Sequence, residues 1–366
     1  MKKVNLLLLC FVLIITGCKA SNSKELVKTV KKEPIKNVIL LIGDGMGVAQ
    51  IYAGMTANNN KLNLERSQYI GFSKTYSAND YVTDSAAGGT AIACGEKTNN
   101  GVIGLDVNGK PIQSLLKIAA DNNLSTGIVV SCELTHATPA SFIAHQPSRN
   151  LYKEIAADYM NVPFTVAIGG GRTHFEERDD KRNLTEELKE KGYQVAYTLD
   201  EIKNIKFGKM IGLMADGHPE AYPARGELLT EGVTSALDIL SQNDKGFFLM
   251  VEGSMIDWGG HSNDTEMIIN EMKDFDRAIK IAFDFADNNP GTLVVITADH
   301  ETGGMALLGG DFSENIVKAK YTTGGHSGVM VPVFSYGVGA QIFSGIYENT
   351  DILGKILNLY GFSLDK

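Results

Sequence analysis

Thiol chemistry is nearly absent from this 366-residue chain. It has four cysteines, and no two of them are spaced C-x-x-C, which argues against a thiolate metal site. Cys10 and Cys18 fall in the first eighteen residues, leaving Cys94 and Cys132, each in the small or apolar surroundings of a buried free thiol. Long apolar runs are equally scarce. The longest, Val4 to Ile15, is too short to span a bilayer. Outside a polar stretch from Lys19 to about Lys36 there is no basic run of the kind that marks nucleic-acid readers, and no nucleic-acid partner is expected. Beyond that stretch the chain shows no internal repeat, low-complexity tract or interdomain linker.

What is there begins with a processing signal. Lys2 and Lys3 precede the Val4–Ile15 run, which ends Ile15-Thr16-Gly17-Cys18, a sequence that resembles a bacterial lipobox. The expectation is a signal peptide over residues 1–17, lipidation at Cys18 and a flexible tether over 18–36, giving an exported lipoprotein anchored to a bacterial membrane. Loss of Lys2 and Lys3 takes the formal charge from −9 to −11. So acidic a surface repels phosphorylated substrates at long range, and local cations must dominate at any phosphate site.

From residue 37 onward, apolar runs of strand length alternate with longer amphipathic segments, the pattern of a parallel sheet covered on both faces. Strands are expected over Val38–Ile42, Ile70–Tyr76, Gly127–Ser131, Thr165–Ile168, Met210–Met214, Phe247–Val251, Leu293–Thr297 and Val331–Tyr336. Helices are expected over Ile112–Asn122, Leu151–Met160, Leu184–Lys191, Leu228–Asn243, Glu266–Ala286 and Asp351–Leu359. The Glu266 segment has the clearest three–four rhythm, with Asn263, Asp264 and Thr265 as ready caps. The reading is one α/β domain over 37–366.

The run Val82-Thr83-Asp84-Ser85-Ala86-Ala87-Gly88-Gly89-Thr90-Ala91 sets an acid and a hydroxyl before a dense series of small residues. Such a series predicts a helix packed closely on a sheet, with Ser85 in its first turn. There the free backbone N–H groups and the helix dipole favour an anion, although Asp84 or Ser85 as a simple N-cap explains the same residues.

Around this run, polar residues follow the apolar strands. Asp44 follows the first, in Gly43-Asp44-Gly45-Met46-Gly47. Thr135, His136 and Thr138 follow the third, Glu252 the sixth, and Asp299 with His300 the seventh. Ligands of open α/β sheets bind beyond the carboxyl ends of the strands, so these acids, histidines and hydroxyls converge on one edge. Each also has a plainer explanation. The glycine triplet matches a weak nucleotide-loop pattern that Asp44 contradicts by its charge, and a turn serves equally. Asp257 and His261, four apart, suit one helical face, whereas Gly259-Gly260 between them suits a tight loop. His326 lies in a glycine-rich loop of the kind that carries site residues. His145, His174 and His218 lack such company and read as structural or surface histidines. Oxygen and imidazole donors without thiolate suit zinc in sites with an open position, and harder oxygen sets suit magnesium. Asp257, His261 and His326 would make one group. Asp44, Ser85, Asp299 and His300 would make another, and Asp44, Thr138 and Glu252 a third. Spacing alone does not make that division.

In the same order along the chain, these segments resemble the alkaline phosphatases of bacteria and animals. The likeness runs from about Asn37 to the C-terminus through Ile42-Gly43-Asp44-Gly45-Met46-Gly47, Val82-Thr83-Asp84-Ser85-Ala86-Ala87, Thr135-His136-Ala137-Thr138-Pro139-Ala140, Val251-Glu252-Gly253, Ile256-Asp257-Trp258, Thr297-Ala298-Asp299-His300-Glu301 and Gly325-His326-Ser327-Gly328. The resemblance implies a three-layer α/β/α sandwich and hydrolysis of phosphomonoesters through a phosphoserine on Ser85. It also implies the metal division above, with two Zn2+ and a third ion. Arg149 becomes the phosphate clamp, oriented by Asp84, and the molecule a homodimer. His136 and Trp258 stand near the third ion where the best-studied bacterial type has aspartate and lysine. Animal enzymes and a short bacterial branch with the same Asp-Trp-Gly-Gly-His run share the histidine. That departure bears on the identity and affinity of the third ion: Mg2+ is expected, with zinc or cobalt as alternatives. Only Glu301–Gly325 separates His300 from His326, so the crown-forming insertion of larger relatives is short or absent. A phosphodiesterase or sulfatase of the same superfamily is the competing enzyme class, and a lipoprotein that captures zinc or phosphate without turnover is the competing non-enzyme.

Overall fold

The computed structural model describes residues 35–363. The expected signal peptide, Cys18 and all but the last two residues of the tether lie outside them. Among the described residues no helix is long and apolar enough to cross a membrane.

Fourteen strands are described: β1 (Asn37–Gly43), β2 (Tyr69–Lys74), β3 (Ser125–Glu133), β4 (Val166–Gly170), β5 (Tyr193–Ala196), β6 (Lys209–Leu213), β7 (Phe247–Gly253), β8 (Thr292–Thr297), β9 (Glu301–Thr302), β10 (Met305–Asp311), β11 (Ile316–Tyr321), β12 (His326–Ser327), β13 (Val331–Gly337) and β14 (Gly345–Glu348). Ten of them form one sheet in the order β14-β2-β13-β8-β1-β7-β3-β4-β6-β5. Only β13 opposes its neighbours, pairing antiparallel with β2 and β8. The two flanks of β1 show the register, Leu40 opposite Met250 on β7 and opposite Val295 on β8.

Alternation along β1 builds the three layers. Val38, Leu40 and Ile42 join one apolar core with Ile92, Leu116 and Ile356, from helices Ser85–Cys94, Leu115–Asp121 and Asp351–Tyr360. Ile39 and Leu41 join the opposite core with Ile51, Val233 and Phe275, from helices Val48–Thr56, Leu228–Leu240 and Thr265–Asn288. Because both faces are covered, every residue of β1, β7 and β8 is buried. The expected three-layer α/β/α sandwich with a mostly parallel sheet is the observed fold.

Several boundaries moved for local reasons. The helix expected from Ile112 begins at Leu115, because the Ser114 hydroxyl accepts from Lys117 N–H at 3.2 Å and fixes the first turn there. The segment from Asp257 to His261 is helical, within Ile256–His261, despite its two glycines. Those glycines serve close packing instead: a Cβ on Gly259 would stand 2.8 Å from Ile268, and one on Gly260 2.8 Å from Thr302. The Val48–Thr56 helix, the short strands β5 and β14, and the β10–β11 ribbon were not anticipated. That ribbon occupies the interval where larger relatives were expected to carry a crown.

Candidate metal centre and serine nucleophile

The carboxyl ends of β1, β3, β7 and β8 bring the polar residues together. Asp44 follows β1, Thr138 stands on the short Ala137–Ala140 helix after β3, Glu252 lies near the end of β7, and Asp299 and His300 follow β8. All five are fully buried. Ser85 opens the Ser85–Cys94 helix, whose ten residues are all buried. Two glycines let that helix approach the sheet: a Cβ on Gly88 would stand 3.1 Å from Asp299 Cβ, and one on Gly89 2.9 Å from Ser141 Oγ. The cap expected at Asp84 is present, Oδ1 accepting from Ala87 N–H at 3.0 Å.

Three donor groups result. In the first, His300 Nε2 lies 3.4 Å from Asp44 Oδ1, 3.3 Å from Asp299 Oδ2 and 3.1 Å from Ser85 Oγ. In the second, Asp257 Oδ2 is 3.3 Å from His261 Nε2 and Oδ1 is 3.5 Å from His326 Nε2, while the two imidazole nitrogens face each other at 3.1 Å. His261 donates Nδ1–H to Gly324 O, and His326 donates Nδ1–H to Thr83 O, each at 2.8 Å. Both Nε2 lone pairs therefore point inward, and two lone pairs that close repel unless a proton or cation sits between them. Thr302 links the groups, its hydroxyl bonding Asp257 and lying 3.2 Å from His300 Nδ1, and the His300 ring stacks on His326 at 3.6 Å. The third group gathers Glu252, Cys132 and His136 around buried Thr138.

Hydrogen bonding supplies the test of fit. Asp44 has no partner for either oxygen, and Asp299 Oδ2, Glu252 Oε1 and Thr138 Oγ1 are also unpartnered and buried. Buried carboxylates without donors are costly unless a cation sits among them. Oxygen and imidazole sets of this kind fit cations in the first two groups, and in the third Glu252 and Thr138 offer hard oxygens beside the Cys132 thiol and the His136 imidazole. The electrostatics agree: burial, then the neighbouring Asp299, Asp257 and Glu252, pushes Asp44 well above the usual carboxylate range. Burial raises Glu252 to about 8, and burial with Asp257 raises Asp299 to about 6. Asp257 moves the other way, because hydrogen bonds from His261 and His326 overcome its burial. The Asp257 hydrogen bond raises His261 to about 9.

Arg149 is held on Asp84, the residue before the serine. Its Nη1 donates to Asp84 Oδ2 at 3.0 Å, and the same oxygen accepts from Gly101 N–H at 2.9 Å. Its Nη2 lies 3.4 Å from His136 Nε2. Trp258 packs edge-on to His136, with ring centroids 6.4 Å apart. Every site residue named from the sequence within the described residues therefore converges on this edge. His145 is structural, its Nδ1 bonded to Gly104 O. His218, also read as structural or surface, packs against Trp258 at 4.7 Å and faces buried Glu133. The signal for both was available, since Glu133 ends β3 and His218 follows β6 at the same carboxyl edge.

A buried serine at a helix start, among carboxylates and imidazoles arranged for cations, defines the class of metal-dependent α/β hydrolases. The family model described as Alkaline phosphatase matches residues 35–315. Alkaline phosphatase 4 of Bacillus subtilis is 36% identical over 91% of this chain and 91% of its own length, and alkaline phosphatase 3 of that organism is 33% identical over 97% and 96%. Among solved structures, alkaline phosphatase from the Antarctic bacterium TAB5 superposes with a TM-score of 0.86 at 40% identity, over 91% of this chain and all of that one. The chain belongs to the alkaline phosphatase family.

Proposed function

We propose that the chain is an alkaline phosphatase that moves phosphate from a monoester to Ser85 and then to water. Asp44, Ser85, Asp299 and His300 would hold one zinc ion, and Asp257, His261 and His326 a second. Asp44, Thr138 and Glu252 would hold a magnesium ion, with zinc or cobalt as alternatives, next to His136 and Trp258. A TAB5 variant in which a histidine is replaced by aspartate is described with Mg bound in its M3 site, which supports a third, oxygen-rich centre here. The observation that carries the reading is Ser85 Oγ at 3.1 Å from His300 Nε2, beside the unpartnered oxygens of Asp44.

Bound cations lower the pKa of a coordinated hydroxyl and offset charge on the attacking and leaving oxygens of an in-line displacement. The chain's own part is positional. The helix start aims Ser85 Oγ at the phosphorus, and the bond to Oγ forms as the ester P–O bond breaks and the alcohol departs. Water then attacks the phosphoserine, and inorganic phosphate leaves as the Oγ–P bond breaks. Arg149 offers a planar fork to two phosphate oxygens, and Asp84 fixes its direction. Nothing in this scheme grips the alcohol half, so a broad range of small phosphomonoesters would serve as substrates.

Metal analysis of the purified protein, with an aryl phosphate assay before and after chelation, tests the reading. Activity should fall on chelation and return with zinc and magnesium, and aryl phosphate should outrun bis-aryl phosphate and aryl sulfate. Ser85→Ala should abolish burst labelling yet keep its zinc; normal turnover by that variant would remove Ser85 as nucleophile. The Lys2–Cys18 sequence supports an exported lipoprotein, periplasmic or at the cell surface, held through Cys18. Resemblance to the family adds a homodimer, which sedimentation of the purified protein would check.

A further inference from the structure

We propose that Glu133 and His218 are positioning residues for phosphate binding: Glu133 fixes the His218 ring, and that ring holds Trp258 and His136 beside the guanidinium of Arg149. Glu133 is 6% exposed, and His174 Nδ1 stands 4.0 Å from its Oε2. Its backbone N–H donates to His218 Nδ1 at 3.3 Å. A neutral ring that accepts at Nδ1 carries its proton on Nε2, and that Nε2 lies 3.5 Å from Glu133 Oε2. One residue thus faces both nitrogens of His218. The orientation is opposite to that of His261 and His326, whose Nε2 lone pairs face the metal donors, so His218 turns a proton, and not a ligand atom, toward the carboxylate. Burial, then the neighbouring His174, draws His218 down to about 4 and keeps the ring neutral.

The loop that carries His218 is itself fixed. Gly171 N–H donates to Ala215 O at 3.1 Å and to Gly217 O at 2.8 Å, and Arg172 pairs with Asp216. Gly217 leaves the carboxylate room, since a Cβ there would stand 3.2 Å from Glu133 Oε1. From this base the ring meets Trp258 edge-on at 4.7 Å and 89°, and His136 at 5.5 Å and 80°. His136 and Trp258 meet at 78°, so the three rings stand mutually edge to face. His136 Nδ1 has no hydrogen-bond partner. The direction of that ring, and with it the 3.4 Å approach of Nε2 to Arg149, rests on packing that His218 supplies.

The inference rests on the reading of Arg149 as phosphate clamp. It is tested on the metal-loaded enzyme with His218→Ala, His218→Phe and Glu133→Leu, using an aryl phosphate and inorganic phosphate. Trp258 is the one tryptophan in the chain, so its fluorescence reports the ring cluster directly. His218→Ala should raise KM and the phosphate inhibition constant roughly three- to tenfold, with a smaller change in kcat and an altered Trp258 emission. His218→Phe should restore all of these toward the parent. Glu133→Leu, which keeps the backbone bond to Nδ1 but removes the carboxylate facing Nε2, should raise KM and alter the emission in the same direction, by less than His218→Ala. Parent values of KM and emission in both His218→Ala and Glu133→Leu would overturn the proposal, as would losses in a folded His218→Ala that His218→Phe leaves unrepaired. Arg149→Ala separates the two readings: parent-like phosphate inhibition in that variant removes the clamp, whereas an unchanged Trp258 emission in a folded His218→Ala removes the ring cluster.

Discussion

Asp84 shows how much one side chain does at this site. One carboxylate oxygen caps the Ser85–Cys94 helix, and the other accepts from Arg149 and from Gly101 N–H. The serine and the arginine are therefore set relative to each other through a single residue. Hydrogen bonds to charged groups contribute about 1.5–3 kcal/mol, so Arg149→Ala should raise the phosphate inhibition constant by roughly 10- to 100-fold. Arg149→Lys should recover only part of this, because one ammonium does not reproduce a planar fork. An inhibition constant unchanged in both variants would take Arg149 out of the site. At this scale legibility varied with chemistry. Asp299 and His300 stood out because a charged pair at the end of an apolar strand demands compensation. Arg149 acquired its role only through family resemblance, and His218 stayed hidden because its partners, Glu133 and Trp258, are 85 and 40 residues away in sequence and meet it only in the fold.

Helix Thr265–Asn288 illustrates the element scale. Asp264 caps it by accepting from Glu266 and Met267 N–H groups at 3.0 Å each, and its apolar stripe includes fully buried Phe275. A Cβ on Gly253, at the end of β7, would stand 2.6 Å from the Phe275 ring, so this helix lies directly on a strand that carries Glu252. Phe275→Ala should cost about 3–5 kcal/mol of stability, whereas Asp264→Ala should cost about 1 kcal/mol. Denaturant midpoints at constant slope would measure both; an equal loss would mean that packing does not dominate this contact. The same contrast explains which elements were legible. β1, β7 and β8 are buried on both faces and read as unbroken apolar runs. β5 and β14 lie at the two sheet edges, four residues each and partly exposed, and give no comparable run. The β10–β11 ribbon is a separate two-stranded sheet; β11 alternates over only six residues, Val317, Ala319 and Tyr321 facing the core, and β10, with Gly309, Gly310 and exposed Leu308, carries no matching run.

For the whole molecule, the clustered acids and imidazoles make stability depend on cations and on pH. In metal-depleted protein, burial holds Glu252 protonated up to about 8, and Asp257 holds His261 protonated up to about 9. Their ordinary values are 4.5 and 6.5, so between pH 6.5 and about 8 the folded state keeps protons that the unfolded state has released. Stability must then fall as pH rises across that window. Chelated protein should lose melting temperature steadily from pH 6.5 to 8, and zinc- and magnesium-loaded protein should not follow it. A melting temperature of chelated protein that is flat or rises over that window would contradict the assignment of these groups to cation sites.

The place of β1 has a further consequence for how the chain matures. It is the first of the described strands, yet its two neighbours, β7 and β8, are encoded more than 200 residues later. Until a ribosome has delivered Phe247–Gly253 and Thr292–Thr297, the segment bearing Asp44 has no sheet to join. Contacts this distant in sequence are reached late and slowly. Loss of the final third of the chain would therefore leave the opening strand unflanked and exposed, and premature termination there should yield aggregation in place of a smaller working enzyme.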